Sequence, residues 1–280
     1  MRFRLHPDAA LFAEAVRAAI GSWEPPREPD LGAWLDDRDG ELAQRLAEAG
    51  WRELGTDAAL LEPAVAGALE LGRACAPACL LDEPTLGGAL WISGRARHGA
   101  GASLLAVPRP RGMLALAVPC GPAVPERTLD GAGVVRVEVE IRDELSPGEA
   151  QERLRAWAAV TLGYLAGLAG RALERAVAHV RSREQFGGPL GALPAVQARL
   201  ADAALAADGI ALLAWRAAAG ESGAAVPERA WAADAACEVT AAAHQVHGAV
   251  GFALETGLHC FSRRARAVRA WSKAVSAALR

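Results

Sequence analysis

The chain has 280 residues, 52% of them hydrophobic, and a formal net charge of -3 from 30 basic and 33 acidic side chains. It is too apolar for a disordered chain and long enough for one large core or two modest ones. Its near-neutral charge supplies no strong field, which argues against a nucleic acid or an anionic membrane surface as partner.

From Pro7 to Leu90 the periodicity is helical, with Leu11, Ala15 and Ala19 in one stripe and Leu42, Leu46 and Ala49 in another, punctuated by Gly21, Gly40, Gly50 and Gly55. Pro63 opens a further helix with Val65, Ala68, Leu69 and Gly72 along one side. Residues 1–93 therefore read as an N-terminal helical domain. From Gly94 to Ile141 glycine and proline are dense and the period falls to two: Val135, Val137, Val139 and Ile141 alternate with Arg136, Glu138 and Glu140. With Leu104–Val107 and Leu114–Val118 as further strands, 94–145 predicts a small antiparallel sheet of three or four strands.

Ser146-Pro147-Gly148-Glu149 is a helix start in which Ser146 caps and Glu149 reaches back. Leu154, Trp157, Thr161, Leu165, Leu168, Ala172, Ala176 and Val180 recur at three and four residues, predicting a helix of about 50 Å. Arg171, Glu174 and Arg175 interrupt its apolar stretch short of the roughly 20 residues a bilayer span needs, so no transmembrane segment is expected. A second helix runs from Pro194 to Ala219 and a turn follows from Gly220 to Gly223. A third helix spans Pro227 to Val246, and a fourth, broken near Ala270, runs from Leu258 to Leu279. Four helices on short connections predict an antiparallel bundle over 146–280.

Cys75, Cys79, Cys120, Cys237 and Cys260 are an odd number in a chain that opens without a signal-like leader, so reduced thiols and a cytoplasmic location are expected. Cys75-x-x-x-Cys79 and His244-x-x-His247 lack the further ligands of a zinc site. His6, His98, His179 and His259 have no spaced partners that suggest chemistry.

Two loops interrupt the apolar helices. In Arg183-Glu184-Gln185-Phe186-Gly187-Gly188-Pro189-Leu190 the arginine complements a helix C-terminus. A cation, an amide, a ring and two glycines together also meet the needs of a nucleotide diphosphate. In Gln245-Val246-His247-Gly248-Ala249-Val250-Gly251-Phe252 a helix ends in glycine, as many do, and backbone groups are left open to a phosphate.

Arg183 through Gln197 resembles the R-x-x-F-G turn and following F-Q-x-x-Q helix of the acyl-CoA dehydrogenase family, and Gln245 through Glu255 resembles its Q-x-x-G-G-x-G-[FY]-x-x-E segment. Leu46-Ala47-Glu48-Ala49-Gly50-Trp51 and Leu69-Glu70-Leu71-Gly72-Arg73-Ala74 are similar to that family's L-A-E-x-G-W and E-x-L-G-R-A signals. The resemblance implies a mainly α fold: an N-terminal helical domain, an abbreviated antiparallel β domain and a C-terminal four-helix bundle. It also implies dehydrogenation across Cα and Cβ of an acyl-CoA thioester, with FAD as hydride acceptor. Arg183, Gln185, Phe186 and Gln197 would then meet the diphosphate and adenine end of an FAD held largely by a neighbouring subunit, and Gln245, Val246, His247 and Gly248 would line the same shared site.

The departures concern the chemistry. Ser272 occupies the position of the family's usual glutamate base, and a serine hydroxyl is too weak to take a thioester α-proton unaided. The alternative position on the first bundle helix falls on Trp157, and Glu152 and Glu174 stand elsewhere on that helix. The T-E-P-x-x-G-S-D motif is absent, Pro194 and Ala249 replace a glutamine and a glycine, and Arg264 replaces an aspartate. No catalytic base is therefore assigned, and the chain alone is expected to be inactive. The resemblance implies the non-catalytic subunit of a heteromeric acyl-CoA dehydrogenase, with a longer homologue supplying the base and the flavin-ring contacts, as in family members acting on bulky steroid-derived thioesters. Two alternatives stand beside it: a self-associating pseudoenzyme used for assembly or regulation, and a complete oxidoreductase with Glu184 or Glu255 as base.

Overall fold

The computed structural model describes residues 5–25, 38–97, 101–126, 128, 130, 133–221 and 226–280; His98 and the turn expected through Gly223 lie outside them. The described chain opens with helices α1 (Pro7–Ile20), α2 (Arg38–Glu48), α3 (Leu61–Arg73) and the short α4 (Asp82–Leu86). α1 buries Ala9, Ala13, Val16 and Ile20, and Leu11 of the expected stripe is 64% exposed. The helix is turned by its partner: Phe12 and Val16 close around Gly67 of α3, where a built Cβ would stand 3.0 and 3.1 Å from them. Arg17 then reaches Glu70 with two nitrogens, at 3.1 and 2.9 Å. On α2, Leu42 and Leu46 are buried as expected.

Five strands follow: β1 (Ala89–Ile92), β2 (Arg95–Arg97), β3 (Leu105–Arg109), β4 (Met113–Glu126) and β5 (Val134–Glu144). They close into a small barrel in the order β1-β2-β5-β4-β3. All pairs are antiparallel except β1 with β3. The sheet thus holds more strands than the pattern predicted, and β1 lies ahead of residue 94. Four and three residues are too few to display a period of two, which is why β1 and β2 were not legible. Trp91 on β1 donates its indole N–H to the Val137 carbonyl at 2.9 Å across the barrel.

α5 (Pro147–Ser182) begins with the expected capping box, Ser146 accepting from the Glu149 N–H while the Glu149 side chain accepts from the Ser146 N–H. Its 36 residues span about 54 Å. By length and composition α5 could cross a membrane, but its apolar window is 83% buried within the bundle, as in a core helix. After it come a two-stranded hairpin, β6 (Glu184–Gln185) with β7 (Gly188–Pro189), and helices α6 (Pro194–Ala218), α7 (Val226–His247) and α8 (Leu258–Ala278). α8 runs unbroken through Ala270, because alanine favours helix and no glycine or proline interrupts it.

α3 and α5 cross in near backbone contact. A Cβ built on Gly72 would stand 1.9 Å from the Tyr164 carbonyl oxygen, and one on Gly167 would stand 1.9 Å from that of Leu69. Beside the crossing, the Tyr164 hydroxyl donates to the Ala76 carbonyl at 2.5 Å, joining the helical N-terminal part to the bundle.

Candidate functional site

At the end of α5 the chain leaves the helix at Arg183, whose N–H donates to the His179 carbonyl at 2.9 Å. The hairpin pairs Glu184 with Pro189 and Gln185 with Gly188, and its tip is Phe186-Gly187. Both tip residues have positive φ, 57° and 87°, as a two-residue type I′ turn requires. A phenylalanine in that conformation carries about 1–2 kcal/mol of strain. Its ring is 86% exposed, so neither burial nor backbone preference favours its place in the chain alone. The Arg183, Glu184 and Gln185 side chains are exposed beside it. Gln197, on the first turn of α6, donates its side-chain amide to the Gly191 carbonyl at 2.8 Å and so braces the connection behind the hairpin.

At the end of α7, Gln245 is exposed and Gly248 is exposed with φ 62° and open space where a Cβ would be. Val246 faces the bundle core, so only its backbone is open to a ligand. His247 lies over His179 with ring centroids 4.1 Å apart and planes 20° apart, which brings the ends of α5 and α7 to one place. The two loop motifs thus share one end of the bundle. His247 Nδ1 donates to the Ala243 carbonyl at 2.7 Å, which fixes its tautomer. Burial pushes both histidines below the usual imidazole range. For His179 the neighbouring His247 and Arg183 add to the effect. For His247 the Ala243 carbonyl opposes it and Arg175 adds to it. Arg175 itself donates to the Thr256 carbonyl and lies 5.5 Å from the Phe261 ring centroid, anchoring the connection after α7.

The interior near Ser272 is filled. Ser272 is 2% exposed, and its hydroxyl has no hydrogen-bond partner among the described residues. Trp157 is fully buried and donates its indole N–H to Asp82 Oδ1 at 2.9 Å. The Asp82 carboxylate also takes the Arg97 guanidinium, with Nε at 2.9 Å from Oδ2. Arg97 lies 5.6 Å from the Trp271 ring centroid, and Arg229 lies 4.8 Å from that of Trp157. Arg229 donates to Ser276 Oγ at 2.9 Å, and burial pushes its guanidinium down to about 10. Two indoles, two guanidiniums and one carboxylate thus pack together, and that carboxylate is committed to Arg97, Trp157 and the Leu90 N–H. Glu184 and Glu255, the other candidate bases, are exposed on connections. No group of three or more potential metal ligands occurs among the described residues.

Sequence reasoning missed both buried ion pairs. Besides Asp82 with Arg97, Arg264 of α8 reaches Asp130 in the β4–β5 connection at 2.8 Å, both side chains being buried. An arginine at a position the resemblance gives to an aspartate was a signal that a carboxylate had to lie opposite.

Residues 149–272 match the family model described as acyl-CoA dehydrogenase, C-terminal domain. A 3-sulfinopropanoyl-CoA desulfinase from Paraburkholderia xenovorans is 36% identical over 105 residues, which cover 36% of this chain and 27% of that protein. A mitochondrial short-chain specific acyl-CoA dehydrogenase from Bos taurus is 38% identical over 107 residues, covering 36% of this chain and 26% of the relative. The matched segments span about a quarter of the length of these two proteins. Over the whole chain, the ChsE4-ChsE5 complex from Mycobacterium tuberculosis shares the fold, with a TM-score of 0.77 at 18% identity over 99% of this chain and 96% of the matched one.

Proposed function

We propose that this chain, whose residues 149–272 match the acyl-CoA dehydrogenase C-terminal domain, is a cytoplasmic, non-catalytic subunit of a heteromeric flavoenzyme of that family. A longer homologue supplies the base for α,β-dehydrogenation of an acyl-CoA thioester. The observation that carries this reading is the contrast between the two regions: an exposed, donor-rich bundle end and a filled interior. At the bundle end, Arg183, Gln185 and Gln245 offer donors, Phe186 a ring, and Gly248 an open backbone, which together fit the diphosphate and adenine portion of FAD. The interior around Trp157 and Trp271 is occupied by side chains and holds no uncommitted carboxylate among the described residues, so it does not fit the reacting end. When bound, FAD supplies the hydride acceptor of the reaction. Within this chain, Arg183 neutralises diphosphate charge, Phe186 gives the adenine a stacking surface, and the His179–His247 stack holds the two loops in register.

Both partial relatives are named for coenzyme A thioesters, and the ChsE4-ChsE5 structure is of a complex of two named components, which supports the substrate class and the heteromer. Co-expression with a longer homologue tests the reading. A joint complex that is yellow and loses its flavin in Arg183→Ala is expected. A homologue that binds flavin and turns over alone, while this chain purifies separately, overturns it. The filled interior equally suits a subunit used only for assembly; its joint complex would keep the same flavin content in Arg183→Ala.

A further inference from the structure

Among the described residues three arginines are buried, and they differ in one respect: Arg97 faces Asp82 and Arg264 faces Asp130, whereas Arg229 has no carboxylate partner. Arg229 stands in the first turn of α7 and is 1% exposed. Its Nη2 donates to Ser276 Oγ at 2.9 Å, and its guanidinium carbon lies 4.8 Å from the Trp157 ring centroid. Its buried Nε has no hydrogen-bond partner among the described residues. Two hydroxyls on the adjoining turns are in the same condition. Thr161 follows Trp157 by one turn of α5, and Ser272 precedes Ser276 by one turn of α8. Both are 2% exposed, and neither hydroxyl has a hydrogen-bond partner among the described residues.

A guanidinium removed from water without a counter-charge is strongly destabilising. The face of Trp157 and the last-turn carbonyls of α8 offset part of that cost, but each offers only a partial negative charge. One full positive charge with N–H and O–H donors around it, and no charged acceptor among them, selects an anion of single charge. A divalent oxyanion would overcompensate Arg229, and an organic acid would need more room than an interior packed with indoles provides. A monatomic ion needs little. We infer that a chloride ion sits beside Arg229 as its counter-charge, with the Ser272 and Thr161 hydroxyls completing its shell. The inference concerns the core of this chain and does not depend on flavin.

The full chain, in the assembly in which it purifies, is dialysed into sodium gluconate and melted there and in sodium chloride of equal concentration. The melting temperature should be higher in chloride, by roughly 3 °C when the ion is at about ten times its dissociation constant. Arg229→Met keeps most of the volume and removes the charge, so it should melt alike in the two salts. Ser272→Asp brings a carboxylate to the same turn and should shrink the difference. Crystals of the parent soaked in sodium bromide should show anomalous scattering within hydrogen-bond reach of the Arg229 guanidinium. Equal melting of the parent in the two salts, a chloride effect that persists undiminished in Arg229→Met, or a water molecule in place of bromide beside Arg229 overturns the inference. The diffraction result decides the matter even where Arg229→Met does not fold. Failure of the flavin reading shows instead as a colourless complex and changes neither readout.

Discussion

Trp157 is the residue on which the two regions of the molecule diverge. Its indole fills space and also donates to Asp82, so Trp157→Ala removes a buried ring and leaves the carboxylate one donor short. A loss of about 3–5 kcal/mol is expected from urea unfolding, and a loss under 1 kcal/mol would show that the interior is loosely packed. Asp82→Ala should cost a similar 3–5 kcal/mol, because it leaves the Arg97 guanidinium buried without a counter-charge. Histidine protonation gives a pH dependence. Burial lowers His179, His244 and His247, so below the ordinary value near 6.5 the unfolded chain takes up protons that the folded one resists. Stability should be retained above that value and fall as the pH drops below it. Melting temperatures from pH 7.5 to 5 should show this slope, and it should be shallower in His179→Gln; parallel curves would remove the stack from the explanation. Arg183 and Gln245 were visible in the sequence as candidates because their motifs are contiguous. Asp82 with Arg97 and the His179–His247 stack were not, since each joins residues that only the tertiary fold brings together.

Among the elements, α5 shows most clearly how sequence becomes structure. Its start and end were readable because capping and a sustained helical period are local signals, and Ser146→Ala should cost about 1 kcal/mol in denaturant unfolding. Its three-dimensional surroundings were not readable from the same residues. Gly167 meets the α3 backbone, whereas Gly170, three positions on, has open space around its Cα. Gly167→Ala should therefore cost at least about 1–3 kcal/mol through overpacking, and Gly170→Ala should stabilise by about 0.5–1 kcal/mol through helix propensity. Similar melting of the two variants would contradict the close crossing. α6, α7 and α8 likewise lie within a residue or two of their expected bounds. The face that α1 buries was misread by two positions, because the groove at Gly67, and not the apolar content of α1, sets which side turns inward.

At the scale of the molecule, the three-part plan followed from the resemblance, but the closure of the barrel did not, because the parallel β1–β3 pairing leaves no local mark. The exposed tip of the β6–β7 hairpin bears on assembly. Phe186→Ser should leave the melting of the isolated chain within about 0.5 kcal/mol of the parent, as a solvent-facing substitution does. In a co-expressed complex the same change should lower flavin content, read from the ratio of visible to ultraviolet absorbance. Unchanged flavin there, with unchanged melting, would remove Phe186 from the shared site.

The α3–α5 crossing also governs how such a subunit can be recombined. Each glycine there faces a main-chain oxygen of the opposite helix, so the two helices form one joint. A chimera that takes α3 from one relative and α5 from another would set side chains against carbonyls and fail to close. Exchange of the first block with a homologue is thus expected to succeed only when the facing segment of the long helix travels with it.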